Sequence, residues 1–200
     1  MKCPHCGLIV TDRVPVCQGC GFSIGDLDRK LGRAPERAGF VNDFASLLLP
    51  DEKAQLEERL SQFQQKNRGE LVLVTAPGTR PVKPSEYVFW LFNCWQVGGE
   101  NHAGVMLLLA QEERRIESEV GYSWEPVITD LESWEILDEL VAPLLREGKT
   151  FEGLRQGTER LIAILEGALQ PPDKSSPGDT SPGGKDAAGE KNQDEEGEIS

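Results

Sequence analysis

One repeated element near the start of the sequence constrains this chain most. Cys3-Pro4-His5-Cys6-Gly7 and Cys17-Gln18-Gly19-Cys20-Gly21 are two CxxCG turns, with ten residues between Cys6 and Cys17. Residues 1–25 hold too little apolar mass to form a core unaided, so they need a staple. A tight CxxC turn brings two thiolates to one point, and its amide N–H groups can hydrogen-bond the sulfurs. Glycine after the second cysteine permits the positive φ that such a turn often needs. Two turns together make a tetrahedral set of four thiolates, Cys3, Cys6, Cys17 and Cys20, with no open coordination position. That is the pattern of a structural metal site. Zinc suits it best; iron and a redox dithiol are the alternatives.

The doubled turn resembles a short zinc ribbon of the rubredoxin-like type, over residues 1–25. His5 lies inside a turn and reads as a spacer. The fifth cysteine, Cys94, stands alone in a helical stretch and reads as an inert, partly buried thiol. Residues 26–39 carry Arg29, Lys30, Arg33 and Arg37 with two glycines and a proline, and read as a basic linker. From about residue 40 the pattern changes. After Pro50, Leu56, Leu60 and Phe63 share one helical face, and Gly69 is expected to end that helix. Leu71–Ala76 and Gly104–Ala110 are continuous apolar runs, as in strands buried on both faces. Between them Val88, Leu91, Phe92 and Trp95 mark a helix that Gly98-Gly99 stops. Strand, helix and strand over about forty residues make a parallel βαβ unit. Ile116, Ser118 and Val120 then alternate with charged residues, predicting an antiparallel partner for the second strand. Residues 131–146 and 150–168 read as two amphipathic helices, the second with Leu154, Thr158, Leu161 and Leu165 on one face. Beyond Pro171-Pro172 apolar residues nearly vanish, so 171–200 is expected to be a disordered acidic tail.

Charge sharpens this division. The net charge of −13 separates into +2 over residues 1–39, −10 over 40–170 and −5 over 171–200. Such a balance argues against whole-chain attraction to nucleic acid or anionic lipid. No apolar run approaches the roughly 20 residues of a membrane span, and no apolar stretch follows Met1-Lys2-Cys3-Pro4 as in a secretory signal. A soluble cytoplasmic protein is the expectation.

The order of motifs in the middle of the chain is distinctive. Val41-Asn42-Asp43 precedes the first long helix, and Leu91-Phe92-Asn93-Cys94-Trp95-Gln96-Val97-Gly98 follows the first strand. Arg114 leads into Glu119-Val120-Gly121-Tyr122-Ser123-Trp124-Glu125 and Thr129-Asp130. Pro143-Leu144-Leu145 and Phe151-Glu152-Gly153-Leu154 close the pattern. Over residues 41–169 this resembles the TPM domain, known from a thylakoid-lumen protein, a photosystem II repair protein and a nicotinic-receptor auxiliary protein. The resemblance implies an α/β fold: an αβα sandwich with a small central mixed sheet, over residues 40–170. It also implies an acidic cleft at the sheet's end, holding Ca²⁺ or Mg²⁺, at the matching positions Asp43, Glu119, Glu125 and Asp130. Some family members have acid phosphatase activity, and others are assembly or auxiliary factors.

Weighed without the resemblance, Asp43, Glu125 and Asp130 read as helix caps and solvated charge. His102, in a loop beside Asn101, lacks the partners of a catalytic base. Trp90, Trp95, Trp124 and Trp134 read as packing residues. No P-loop, HxxH or GxSxG occurs. The expectation is an interaction or assembly factor with a protein partner, a structural Zn²⁺ and a divalent-cation cleft. A metal-dependent phosphatase is the alternative, and nucleic-acid binding is disfavoured.

Overall fold

The computed structural model describes residues 3–9, 16–67 and 69–169. The chain divides into Met1–Gln170 and Pro171–Ser200. The second unit, where the disordered tail is expected, lies outside the described residues.

Four strands form one sheet in the order β1-β2-β3-β4: β1 (Val41–Asp43), β2 (Glu70–Ala76), β3 (Gly104–Ala110) and β4 (Arg115–Val120). The first three are parallel, with Val41 opposite Leu73 and Leu73 opposite Leu107. β4 runs antiparallel to β3, with Leu109 opposite Ile116. Helices cover both faces: α1 (Ile24–Leu31) and α3 (Pro84–Cys94) on one side, α2 (Pro50–Lys66) and α6 (Thr150–Leu169) on the other. Between β4 and α6, α4 (Asp130–Trp134) passes through a π-helical segment, Glu135–Val141, into α5 (Ala142–Arg146). The result is the expected αβα sandwich with a mixed sheet.

Period-two geometry explains the two cores. In β2 and β3 successive side chains point to opposite faces. Leu71, Leu73, Val105, Leu107 and Leu109 meet Leu56, Leu60 and Phe63 of α2 and Leu154, Leu161 and Leu165 of α6. Val72, Val74, Met106 and Leu108 meet Val88, Leu91 and Trp90 of α3. Strands so covered must be largely apolar: β3 is so throughout, and in β2 the polar residues are Glu70 at its start and Thr75, whose hydroxyl is paired with Asp43. β4, at the sheet edge, keeps charge on one face only. Glu117 and Glu119 lie opposite Leu108 and Met106, while Ile116 and Val120 join the α2/α6 core.

Two elements differ from the sequence reading. The stretch 26–39, expected as a linker, carries most of α1. Its one buried apolar residue, Leu27, is fully covered in the α3 core. Asp28 accepts the Trp90 indole N–H at 2.8 Å, and the Pro35 carbonyl accepts that of Trp95 at 2.9 Å. Two of the basic residues that suggested a linker, Arg29 and Lys30, lie in the last turn of α1, where cations suit a helix C-terminus. Gly69 does not end α2, which stops at Lys66 with Asn67 as its cap. A Cβ at Gly69 would come within 2.8 Å of the Trp124 ring, so close packing explains that glycine. The π-helical segment lies just ahead of Pro143. That proline has no N–H for the Glu139 carbonyl, and its ring would clash there; a widened turn accommodates it.

Candidate metal centre and the two ends of the sheet

The two cysteine turns fold as near copies of each other. The Gly7 N–H donates to the Cys3 carbonyl and the Gly21 N–H to that of Cys17, each at 2.8 Å. The Cys3 N–H reaches the Leu8 carbonyl at 2.8 Å, and the Cys17 N–H that of Phe22 at 2.7 Å. Gly7 and Gly21 have φ of 76° and 74°, a conformation that disfavours residues with a Cβ. Cys3 and Cys17 are buried, Cys6 and Cys20 exposed.

The four sulfurs lie within 4.8 Å of one another. Cys3 to Cys20 is 3.8 Å and Cys6 to Cys17 is 3.7 Å. These distances are far beyond the roughly 2.05 Å of a disulfide. They match the edge, about 3.8 Å, of a tetrahedron built from metal–sulfur bonds of ~2.3 Å. The Cys20 and Gly19 amides draw the Cys17 thiol down to about 7. The Phe22 amide has the same effect on Cys20, but desolvation and the three neighbouring sulfurs outweigh it and push that thiol up to about 12. Four thiolates this close repel unless a cation sits among them. The donor set is therefore fit for a metal ion and leaves no position open for substrate.

His5 has a use that the sequence did not disclose. Its Nδ1 lies 2.9 Å from Oε1 of Glu86, and its ring stacks on Phe22 at 5.7 Å. Phe22 in turn meets Phe89 of α3. Glu86 is only 4% exposed. Burial raises its carboxyl, but His5 and the Lys83 amide outweigh that and hold it below the usual range. The cysteine ribbon is thus clamped to the first turn of α3.

The acidic residues implied by the resemblance lie in two places. Asp43 ends β1 at the carboxyl end of the parallel strands. Its carboxylate accepts the Leu47 and Leu48 amides, each at 3.0 Å, and the Thr75 hydroxyl. Both oxygens are committed to the loop after β1. Glu119 lies opposite Met106, near the amino end of β3, whereas Asp43 is in register with Thr75 and Leu109. Asp43 and Glu119 are separated by about 10 Å along the strands and about 14 Å across them. Burial, reinforced by the charge of Glu125, pushes Glu119 up to about 8. The Asp130 side chain lies outside the described part. Among the described residues, the four cysteines are the group of metal-ligating side chains gathered within one coordination sphere.

A cavity of about 690 Å³ opens at the carboxyl end of β3. Arg114, Arg115 and Arg146 line it together with Leu137 and Asp138 of the π-helical segment. In the sequence Arg114 stands out only as part of the motif order, and the thirty residues between Arg115 and Arg146 hide that these two meet. A cue existed: the charge run around 114 breaks an otherwise acidic domain.

Comparison with known proteins agrees with this architecture. Residues 41–164 match the family model described as the TPM domain. Among solved structures, the chain is similar to the N-terminal domain of a protein from P. gingivalis, at 27% identity and TM-score 0.61, covering 65% of this chain and 83% of that one. It shares its fold with the N-terminal domain of a Corynebacterium glutamicum protein, at 16% identity and TM-score 0.53, covering 74% and 91%. The BA42 protein of the psychrophilic bacterium Bizionia argentinensis is similar at 16% identity and TM-score 0.53, covering 60% and 82%. No curated protein matches. No helix among the described residues is long and apolar enough to cross a membrane. With a family match over more than half its length on a sheet of the expected order, the chain belongs to the TPM domain family.

Proposed function

We propose that this protein is a cytoplasmic interaction or assembly factor in which a zinc-stapled ribbon presents an apolar edge to a protein partner. One observation carries the reading. Leu8, Ile9 and Val16 of the ribbon are 46%, 76% and 45% exposed, on a module whose other side is fixed to α3 through His5, Phe22 and Glu86. Large apolar side chains left exposed on a rigid support are the usual makings of a contact surface. The four thiolates favour Zn²⁺, and a closed site assigns it a structural role.

The test has two parts. Reconstituted protein should carry one zinc per chain, lost in Cys17→Ser; iron in that position, or no metal, would overturn the zinc assignment. Affinity capture should retain a protein with the wild type and with Leu131→Asp, and lose it with Ile9→Asp. An identical captured set from all three would sink the ribbon's recruiting role.

A metal-dependent phosphatase is the second reading, favoured by Glu119. A carboxyl held near 8 can donate a proton to a leaving group. Hydrolysis of an aryl phosphate with Ca²⁺ or Mg²⁺, abolished in Glu119→Gln, would support it. Equal turnover with and without the cation would exclude it.

A further inference from the structure

The cavity at the carboxyl end of β3 joins three features with independent origins. It lies outside the carboxyl ends of parallel strands, where open α/β sheets bind ligands. Leu137 and Asp138 reach it from the π-helical segment, a deformation that concentrates at functional sites. Arg114, at its rim, has φ of 50°, a left-handed conformation rare outside glycine and short polar residues. The volume, about 690 Å³, is that of a small-molecule site.

The lining specifies the ligand's chemistry. Three arginines face two acids, so the formal charge is +1 inside a domain whose net charge is −10. Arg115 is paired with Glu117 at 3.2 Å, whereas Arg114 and Arg146 have no ion-pair partner among the described residues. Leu109, Ile116, Leu137 and Leu145 supply apolar wall between the charges. A site of this kind fits one negative charge on an apolar body. A dianion would leave excess negative charge against Asp138 and Glu117, and a neutral apolar molecule would leave Arg114 and Arg146 unanswered. We infer that this cavity binds a medium-chain carboxylic acid, its carboxylate between Arg114 and Arg146 and its chain along the apolar wall.

The probes are decanoate, decanol and decyl phosphate, each below its micellar concentration, titrated calorimetrically into the full-length protein. Decanoate should bind saturably, at one site per chain and about tenfold more tightly than decanol. Arg146→Gln, at an exposed helix end, should weaken decanoate roughly tenfold and leave decanol unchanged. Arg114→Asn, which tolerates the left-handed backbone, should act the same way. Arg33→Gln, away from the cavity, should leave decanoate affinity unaltered. Equal affinity for decanol would overturn recognition of the charge. Tighter binding of decyl phosphate would overturn the carboxylate in favour of a phosphoryl group. No saturable binding would overturn the site altogether.

Discussion

The ribbon and the α/β domain solve the same problem by opposite means. In the domain, Leu71, Val72, Leu73 and Val74 are wholly buried, and β3 is covered on both faces. Order follows from apolar area removed from water. The ribbon leaves Leu8, Ile9 and Val16 exposed and buries two cysteines instead. Its order rests on backbone bonds, glycine turns and sulfurs placed for an ion. A short segment can therefore be well defined without a core of its own. Such a segment is conditional on its ligand in a way the sheet is not.

The largest effect should come from removing a sulfur. Metal binding and folding are one process in small thiolate modules, on the order of 10 kcal/mol or more for structural zinc. Cys17→Ser should collapse the amide dispersion of residues 3–9 and 16–23 in a heteronuclear NMR spectrum while sheet resonances persist. Loss of both sets would show that the two regions fold as one. Next comes the opposite cut. Leu107→Ala, in the centre of β3, should cost about 2–5 kcal/mol in denaturant unfolding and leave the metal content unchanged.

A smaller effect tests the joint between them. Glu86→Ala removes the acceptor for His5 and for the Lys83 amide, and should lower stability by roughly 1–2 kcal/mol. The folded carboxyl lies below its unfolded value of 4.5, so its contribution is present above that pH and lost as pH falls through the folded value. Unfolding midpoints of wild type and Glu86→Gln should therefore converge in acid; parallel curves would deny the joint. The last comparison concerns Glu119 and has the opposite sign. Its folded value, about 8, lies above the unfolded 4.5, so its contribution is full below 4.5 and disappears as pH rises toward 8. Glu119→Gln should gain in thermal midpoint relative to wild type between about pH 5 and 8. A constant difference across that range would rule the shift out.

Much of this architecture was readable in advance, for stated reasons. β2, β3, α2, α3 and α6 show their periods plainly because each buries a whole face or both. The four cysteines were readable because spacing alone brings such turns together. α1 escaped because its apolar stripe is short, Ile24, Leu27 and Leu31 among charged residues, and a boundary drawn at residue 26 cut it in two. β1 spans three residues, too few to show alternation. The role of Asp43 as holder of its own loop depends on amides at 47 and 48 folding back, which spacing does not reveal. The arginine cavity depends on β4 and α5 meeting across the sheet's end. His5 was read as a spacer because its partner, Glu86, is 81 residues away.

Three glycines at the amino end of β3 carry one further consequence. A Cβ at Gly98 would come within 2.2 Å of the Gly104 nitrogen, one at Gly104 within 2.4 Å of the Val97 oxygen, and one at Gly121 within 2.3 Å of the His102 oxygen. Backbone presses on backbone, so no neighbouring side chain can yield to relieve a substitution. These positions belong to the motifs by which the domain is recognised. In this chain that signature therefore records how closely three turns of backbone are stacked, and it stands apart from whatever chemistry the rest of the domain performs.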